Sequence, residues 1–165
     1  MPFDSSGQAV AYTEERFSDL REEGVGLFAL HWLEAAADRS VPLEVWWDYY
    51  RSMEAAGLML TVVARSAGRL IGYAVYAIGP HPHYQSLIVG HSDCYFADPS
   101  YAKGWVGIHL FRDAERRLAA RGVHVVTANV KLHVRRGRLG TRTLERLFRW
   151  MGYRPVELIL HKRIG

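Results

Sequence analysis

The stretch from Leu87 to Gly122 constrains this chain more than any other part of it. An apolar run ends at the turn Asp98-Pro99-Ser100, and a short glycine-bearing loop follows. The next residues place Val106, Leu110, Ala114 and Leu118 at every fourth position before Gly122 stops the pattern. That order predicts a strand, a loop, a helix and, from Val123, another strand. A loop of this kind at a helix N-terminus can hold an anion. The N–H groups of the first helical turn have no intrahelical partner, and the helix dipole adds partial positive charge. Gly104 and Gly107 would let a phosphate come close to the backbone.

The rest of the chain supplies elements to pack around this unit. A short first strand is expected at residues 8–12. Thr13 reads as the N-cap of a helix, which Gly24 and Gly26 interrupt before a second helix runs through Ala37. From Glu44 to Ala56 the residues Trp46, Tyr49, Tyr50 and Met53 recur at helical spacing, and Gly57 terminates the run. Such an aromatic stripe reads first as core, because large rings dominate burial energetics. Residues 58–65 and 69–78 form an antiparallel hairpin around Ser66-Ala67-Gly68, and Pro80 to Tyr84 reads as a loop because of its two prolines. A strand over 123–130, a helix over 141–151 and a final strand over 156–161 complete the order. The 165 residues fit a single domain, 1–165, of α/β class with a mixed sheet flanked by helices.

Composition narrows the function classes. Apolar residues make up 49% and charged residues 23%, which suits a globular domain rather than a disordered segment. The net charge of +4 favours anionic partners, and much of the excess lies in the last third, from Arg135 to Arg163. A nucleotide-containing ligand accounts for part of it; a nucleic-acid module is the weaker alternative. Cys94 is the single cysteine, so an intrachain disulfide and a cysteine-based zinc cluster are excluded. No run approaches the roughly 20 apolar residues that cross a bilayer. Acidic Asp4 also stands where a targeting segment would be basic, so the expectation is a cytoplasmic protein without membrane attachment.

Residues 102–107, Ala-Lys-Gly-Trp-Val-Gly, resemble motif A of the GCN5-related N-acetyltransferases, whose Arg/Gln-x-x-Gly-x-Gly/Ala wraps the pyrophosphate of acetyl-CoA. Ala102 and Trp105 depart from that signature, while the preceding Asp-Pro-Ser-Tyr turn and the final glycine keep to it. Gly68 to Val75 resembles the strand preceding motif A. The segment Thr141 to Tyr153 resembles motif B, with Phe148 at the position usually held by tyrosine. The resemblance implies a mostly antiparallel sheet with splayed central strands and acetyl-CoA as acyl donor. It implies pantetheine pairing by the backbone of Tyr95 and Ala97, and pyrophosphate binding by Lys103, Gly104, Trp105, Val106 and Gly107. It also makes the aromatic stripe of residues 46–53 a candidate acceptor wall.

Residues alternate faces along a strand, which would put His91 and Asp93 on the face of Tyr95 and Ala97, with Cys94 opposite. Members of the family commonly hold a general base at the positions that resemble His91 and Asp93. An amine acceptor is protonated at neutral pH and must lose its proton before attack. An imidazole, which ordinarily titrates near neutrality, suits that task, so His91 reads as the base, while Asp93 could orient it or hold the cationic amine. Phe148 cannot protonate the leaving thiolate, which leaves water, Tyr153, Tyr101 or His133. His81, His83, His91 and Asp93 could suggest a metal site, but His81 and His83 sit on a Pro-rich loop with no third ligand at recognisable spacing, so no metal is expected. The function expected is therefore transfer of an acetyl group to a primary amine of a small molecule or protein, and a homodimer is compatible with it. A CoA-binding protein without turnover is the alternative raised by Ala102, Trp105 and Phe148.

Overall fold

The computed structural model describes residues 2–101, 105–131 and 141–164. The chain falls into two compact units, Met1–Asn129 and Val130–Gly165. The first holds a sheet of five strands in the order β1-β2-β3-β4-β5. These are β1 (Val10–Glu14), β2 (Met59–Ser66), β3 (Arg69–His81), β4 (Tyr84–Ala97) and β5 (Val125–Thr127). All neighbours are antiparallel except β4 and β5, which are parallel. The sheet is thus mixed and mostly antiparallel, as the sequence led us to expect.

Strands β2 and β3 are apolar on both faces because helices cover both. On one face lies α3 (Trp105–Ala120). Val106, Leu110, Ala114 and Leu118 are each at most 1% exposed and pack on Leu60, Val62, Ile71, Ala74 and Tyr76. On the other face, α1 (Val25–Ala35), α2 (Trp47–Ala55) and the 3-10 turn Phe17–Leu20 bring Phe17, Leu20, Phe28, Trp47 and Tyr50 onto Val63, Tyr73, Val75 and Phe96. Gly90 lets α3 come close: a Cβ there would sit 3.2 Å from Leu118. The β2–β3 hairpin closes through Ala67 and Gly68, both at positive φ (46° and 83°), the geometry a two-residue turn needs to match strand twist.

Several local expectations give way. Thr13 lies within β1, where its hydroxyl donates to Glu15, so it caps no helix. β3 continues through Pro80 and His81, and only Pro82 and His83 form the turn. This is possible because β2 ends opposite Ala77, with Ile78 N–H bonding to Leu58. Pro80 points the same way as Ile78 but beyond the end of β2, so its missing N–H leaves no ladder bond unmade. The strand expected at 123–130 is shorter, Val125–Thr127.

The second unit contains α4 (Thr141–Trp150), ended by Gly152 at φ 98°, with Phe148 packed edge-on against Tyr153. Residues 153–164 form no strand, contrary to the reading of 156–161. A strand exists only through a ladder partner, and Val156, Ile159 and Leu160 are exposed here.

Candidate functional site

The site is built on a single irregularity of β4. Val75 pairs with Cys94 and the next residue, Tyr76, pairs with Ser92, so Asp93 is an extra residue in the ladder. A bulge of this kind shifts the alternation of side chains by one place. Tyr95, beyond it, packs on the α3 face and meets Phe111 edge-on at 4.9 Å. Cys94 packs on the α1/α2 face. His91, before the bulge, pairs with Ala77, which by alternation shares the α1/α2 face with Val75. This overturns the expected parity: His91 does not share a face with Tyr95 and Ala97, and Cys94 does not lie opposite the proposed acceptor side. Nothing at residue 93 marks the extra residue in the sequence.

Asp93 turns toward α2, where the Tyr50 hydroxyl donates to its Oδ2 at 2.8 Å. Burial first, and then the Asp93 charge, push the Tyr50 phenol well above its ordinary range, so it stays a donor. The His91 Nδ1 lies 3.1 Å from Thr127 Oγ1 on the neighbouring strand. Deeper under α1, the Tyr73 hydroxyl lies 2.6 Å from His31 Nδ1, and the His31 ring stacks on Phe96 with centroids 5.1 Å apart. Burial likewise raises the Tyr73 phenol far above its usual range. The α1/α2 face therefore carries His91, His31, the hydroxyls of Tyr50 and Tyr73, and the Asp93 carboxylate.

Between β4 and β5 the ladder stops at the pair His91 and Thr127. Past it, Asn129 links the diverging segments. Its N–H donates to Ser92 Oγ at 3.1 Å, its amide donates to the Ser92 carbonyl at 2.9 Å, and its own carbonyl accepts from the Tyr95 hydroxyl. The outer edge of β4 from Asp93 to Ala97 thus has no ladder partner on that side among the described residues. A strand edge left open in this way can pair with an extended amide-containing ligand.

The Asp98-Pro99-Ser100 turn forms as expected: Asp98 Oδ1 accepts from the Ser100 N–H, and the Asp98 carbonyl accepts from the Tyr101 N–H at 3.0 Å. At the start of α3, Val106 is fully buried and Trp105 is exposed. A Cβ on Gly107 would meet nothing within 4 Å, so that side of the first turn is open to an approaching group. Lys103 and Gly104 lie outside the described residues, as does His133. Tyr101 packs beside the α3 core, and the Arg69 guanidinium lies 5.1 Å from its ring. The sequence points to none of His31, Tyr73 and Asn129 as site groups, and to Tyr50 only as one ring of the stripe 46–53. Each acts through a partner far away in the chain, which periodicity does not register.

No protein-family model matches the chain, and no curated protein matches it by sequence. Solved structures do. A ribosomal-protein-alanine N-acetyltransferase from Brucella melitensis biovar Abortus 2308 aligns over 95% of this chain and 100% of its own, with a TM-score of 0.67 at 15% identity. An aminoglycoside acetyltransferase from an uncultured soil metagenomic sample aligns over 95% and 99%, with a TM-score of 0.72 at 11% identity. A predicted acetyltransferase from Clostridium acetobutylicum, solved with acetyl-CoA, aligns over 94% and 96%, with a TM-score of 0.67 at 12% identity. The chain has the fold of the GCN5-related N-acetyltransferases.

Proposed function

We propose that the protein is a CoA-dependent N-acetyltransferase that moves an acetyl group from acetyl-CoA to a primary amine. The observation that carries this reading is the open edge of β4 past His91, beside the open first turn of α3. Those two features suit an extended amide-bearing arm ending in a pyrophosphate. The reading also draws on the likeness to structures solved with CoA-type ligands, among them an aminoglycoside N-acetyltransferase in complex with CoA at 15% identity.

In this reading the backbone of Tyr95 and Ala97 pairs with the pantetheine amides. The N–H groups of Trp105, Val106 and Gly107, with Lys103 and Gly104 before them, hold the pyrophosphate. When bound, acetyl-CoA supplies a thioester carbonyl open to attack. His91 takes the amine proton through Nε2, directly or through water, while its Nδ1–H donates to Thr127 Oγ1. Asp93, fixed by Tyr50 at one oxygen, offers the other to the cationic amine. No hydrogen bond joins Asp93 to His91 in the structure, so holding the amine suits Asp93 better than orienting the imidazole. Phe148 has no proton to give the departing thiolate, which leaves solvent or another hydroxyl for that step.

The test is calorimetric titration with acetyl-CoA, followed by thiol release across an amine panel. Binding and amine-dependent release support the transferase. Binding without release for any amine would make the chain a CoA-binding protein, a role Phe148 would suit. Absence of binding would remove the reading altogether.

A further inference from the structure

The exposed end of α2 carries rings where a surface helix would ordinarily be polar. Trp46 is 71% exposed and Tyr49 43% exposed, yet they contact one another with centroids 5.6 Å apart. Tyr49 in turn meets Tyr50 edge-on at 5.6 Å, and Tyr50 donates to Asp93. A continuous path of ring contacts therefore leads from open solvent to an exposed carboxylate at the bulge of β4. Among the described residues no Lys or Arg forms an ion pair with Asp93. Within the first turn of the helix Asp48 is taken up by Arg51, while exposed Glu44 lies two residues before Trp46. One uncompensated negative charge at the end of an aromatic wall is complementary to one positive charge at the end of an apolar body. Aromatic faces add attraction for such a cation and stack on a flat one.

Resting on the acetyltransferase reading above, the geometry points to a primary amine with an aromatic body as the acceptor class. The ammonium sits at Asp93 and Tyr50, and the body lies on Tyr49 and Trp46. Rings at 46 and 49 then set specificity and do no chemistry. Their removal costs acceptor affinity and leaves both acetyl-CoA binding and the rate of the bound complex in place.

The probe is 2-phenylethylamine, compared with ethylamine and with spermidine in the thiol-release assay. We expect kcat/KM for 2-phenylethylamine to exceed that for either competitor by at least roughly tenfold. Trp46→Ala and Tyr49→Ala should lower it several-fold through KM, while Trp46→Phe and Tyr49→Phe retain most of it. Acetyl-CoA affinity should be the same in all four variants. Preference for spermidine, equal use of ethylamine, or indifference of the alanine variants would overturn the inference while the transferase reading stands. If acetyl-CoA does not bind at all, titrating 2-phenylethylamine alone still decides it. Binding that is weakened in Trp46→Ala and kept in Trp46→Phe supports the aromatic seat, and absent or unchanged binding overturns it.

Discussion

The two faces of the sheet are built from different materials. Under α3 the packing is mainly aliphatic, and the helix contributes side chains that are almost wholly buried and make few polar contacts. Under α1 and α2 it is aromatic, with Phe17 in ring contact with Phe28, Trp47, Tyr50 and Tyr73. The hydroxyls of Tyr50 and Tyr73 there are aimed at Asp93 and His31. An aliphatic layer fixes a helix by shape alone, so any cavity in it costs stability directly. An aromatic layer with hydroxyls at its margin also presents donors and flat surfaces to whatever lies beside it. The difference teaches that α3 sets the frame, and it is to the opposite face that the proposed reading gives chemistry and acceptor choice.

Exchanging the consequences of mutation between the faces would break this comparison. His91, exposed on the α1/α2 face, should be the sharpest case. His91→Ala is expected to lower the rate of thiol release by roughly 10²–10⁴-fold with little change in melting temperature or acetyl-CoA affinity. Retention of full turnover would mean that the amine arrives neutral and the protein contributes positioning only. Leu118→Ala, fully buried between α3 and the sheet, should do the reverse. We expect a loss of about 2–5 kcal/mol in denaturant unfolding, with the activity of the folded fraction unchanged. Trp46→Ala, by contrast, should fall within about 0.5 kcal/mol of the wild type.

Tyr73→Phe sharpens the comparison within the aromatic face. It deletes the bond to His31 while keeping the ring and its packing, so the expected loss is about 0.5–1.5 kcal/mol. A much larger loss would show that the hydroxyl is structural to the whole face.

A small effect is expected on the β1 side of the sheet, where Arg65 joins Glu15 and Glu23. The Arg65 hydrogen bonds hold both carboxyls below their ordinary pKa. Groups depressed in the folded state contribute stability that is present above the unfolded pKa of about 4.3 and lost as pH falls through the folded value. Arg65→Met should therefore flatten the fall in stability below about pH 4.5 and cost no more than about 1 kcal/mol at pH 7, since the pairs are partly solvated. Unfolding curves at pH 7 and pH 3.5 check both halves of that statement.

What the sequence could disclose follows the same division. The register of α3 was legible because Val106, Leu110, Ala114 and Leu118 must all face one layer, and a helical period records that demand. The hairpin around Ala67-Gly68 was legible because its turn chemistry is local. The bulge at Asp93 was not, since an extra ladder residue depends on the partner strand and leaves no composition signal at the site. That one residue moved Cys94 onto the α1/α2 face and separated His91 from the face of Tyr95. The pairs His31 with Tyr73 and Tyr50 with Asp93 join residues about forty positions apart. Pattern reading along the chain has no access to contacts of that kind. The C-terminal run 156–161 failed for a related reason: its composition states that it could be a strand, while pairing decides whether it is one.

The central claim is that the unpaired edge of β4 and the first turn of α3 receive the acyl donor. Backbone amide hydrogen exchange, measured residue by residue with and without acetyl-CoA, tests it most directly. The account predicts slowed exchange confined to the segment Asp93 to Ala97 and to Trp105, Val106 and Gly107, with the buried centre of β2 unchanged. Tight binding that leaves those amides exchanging as before, or that protects another surface instead, would contradict it.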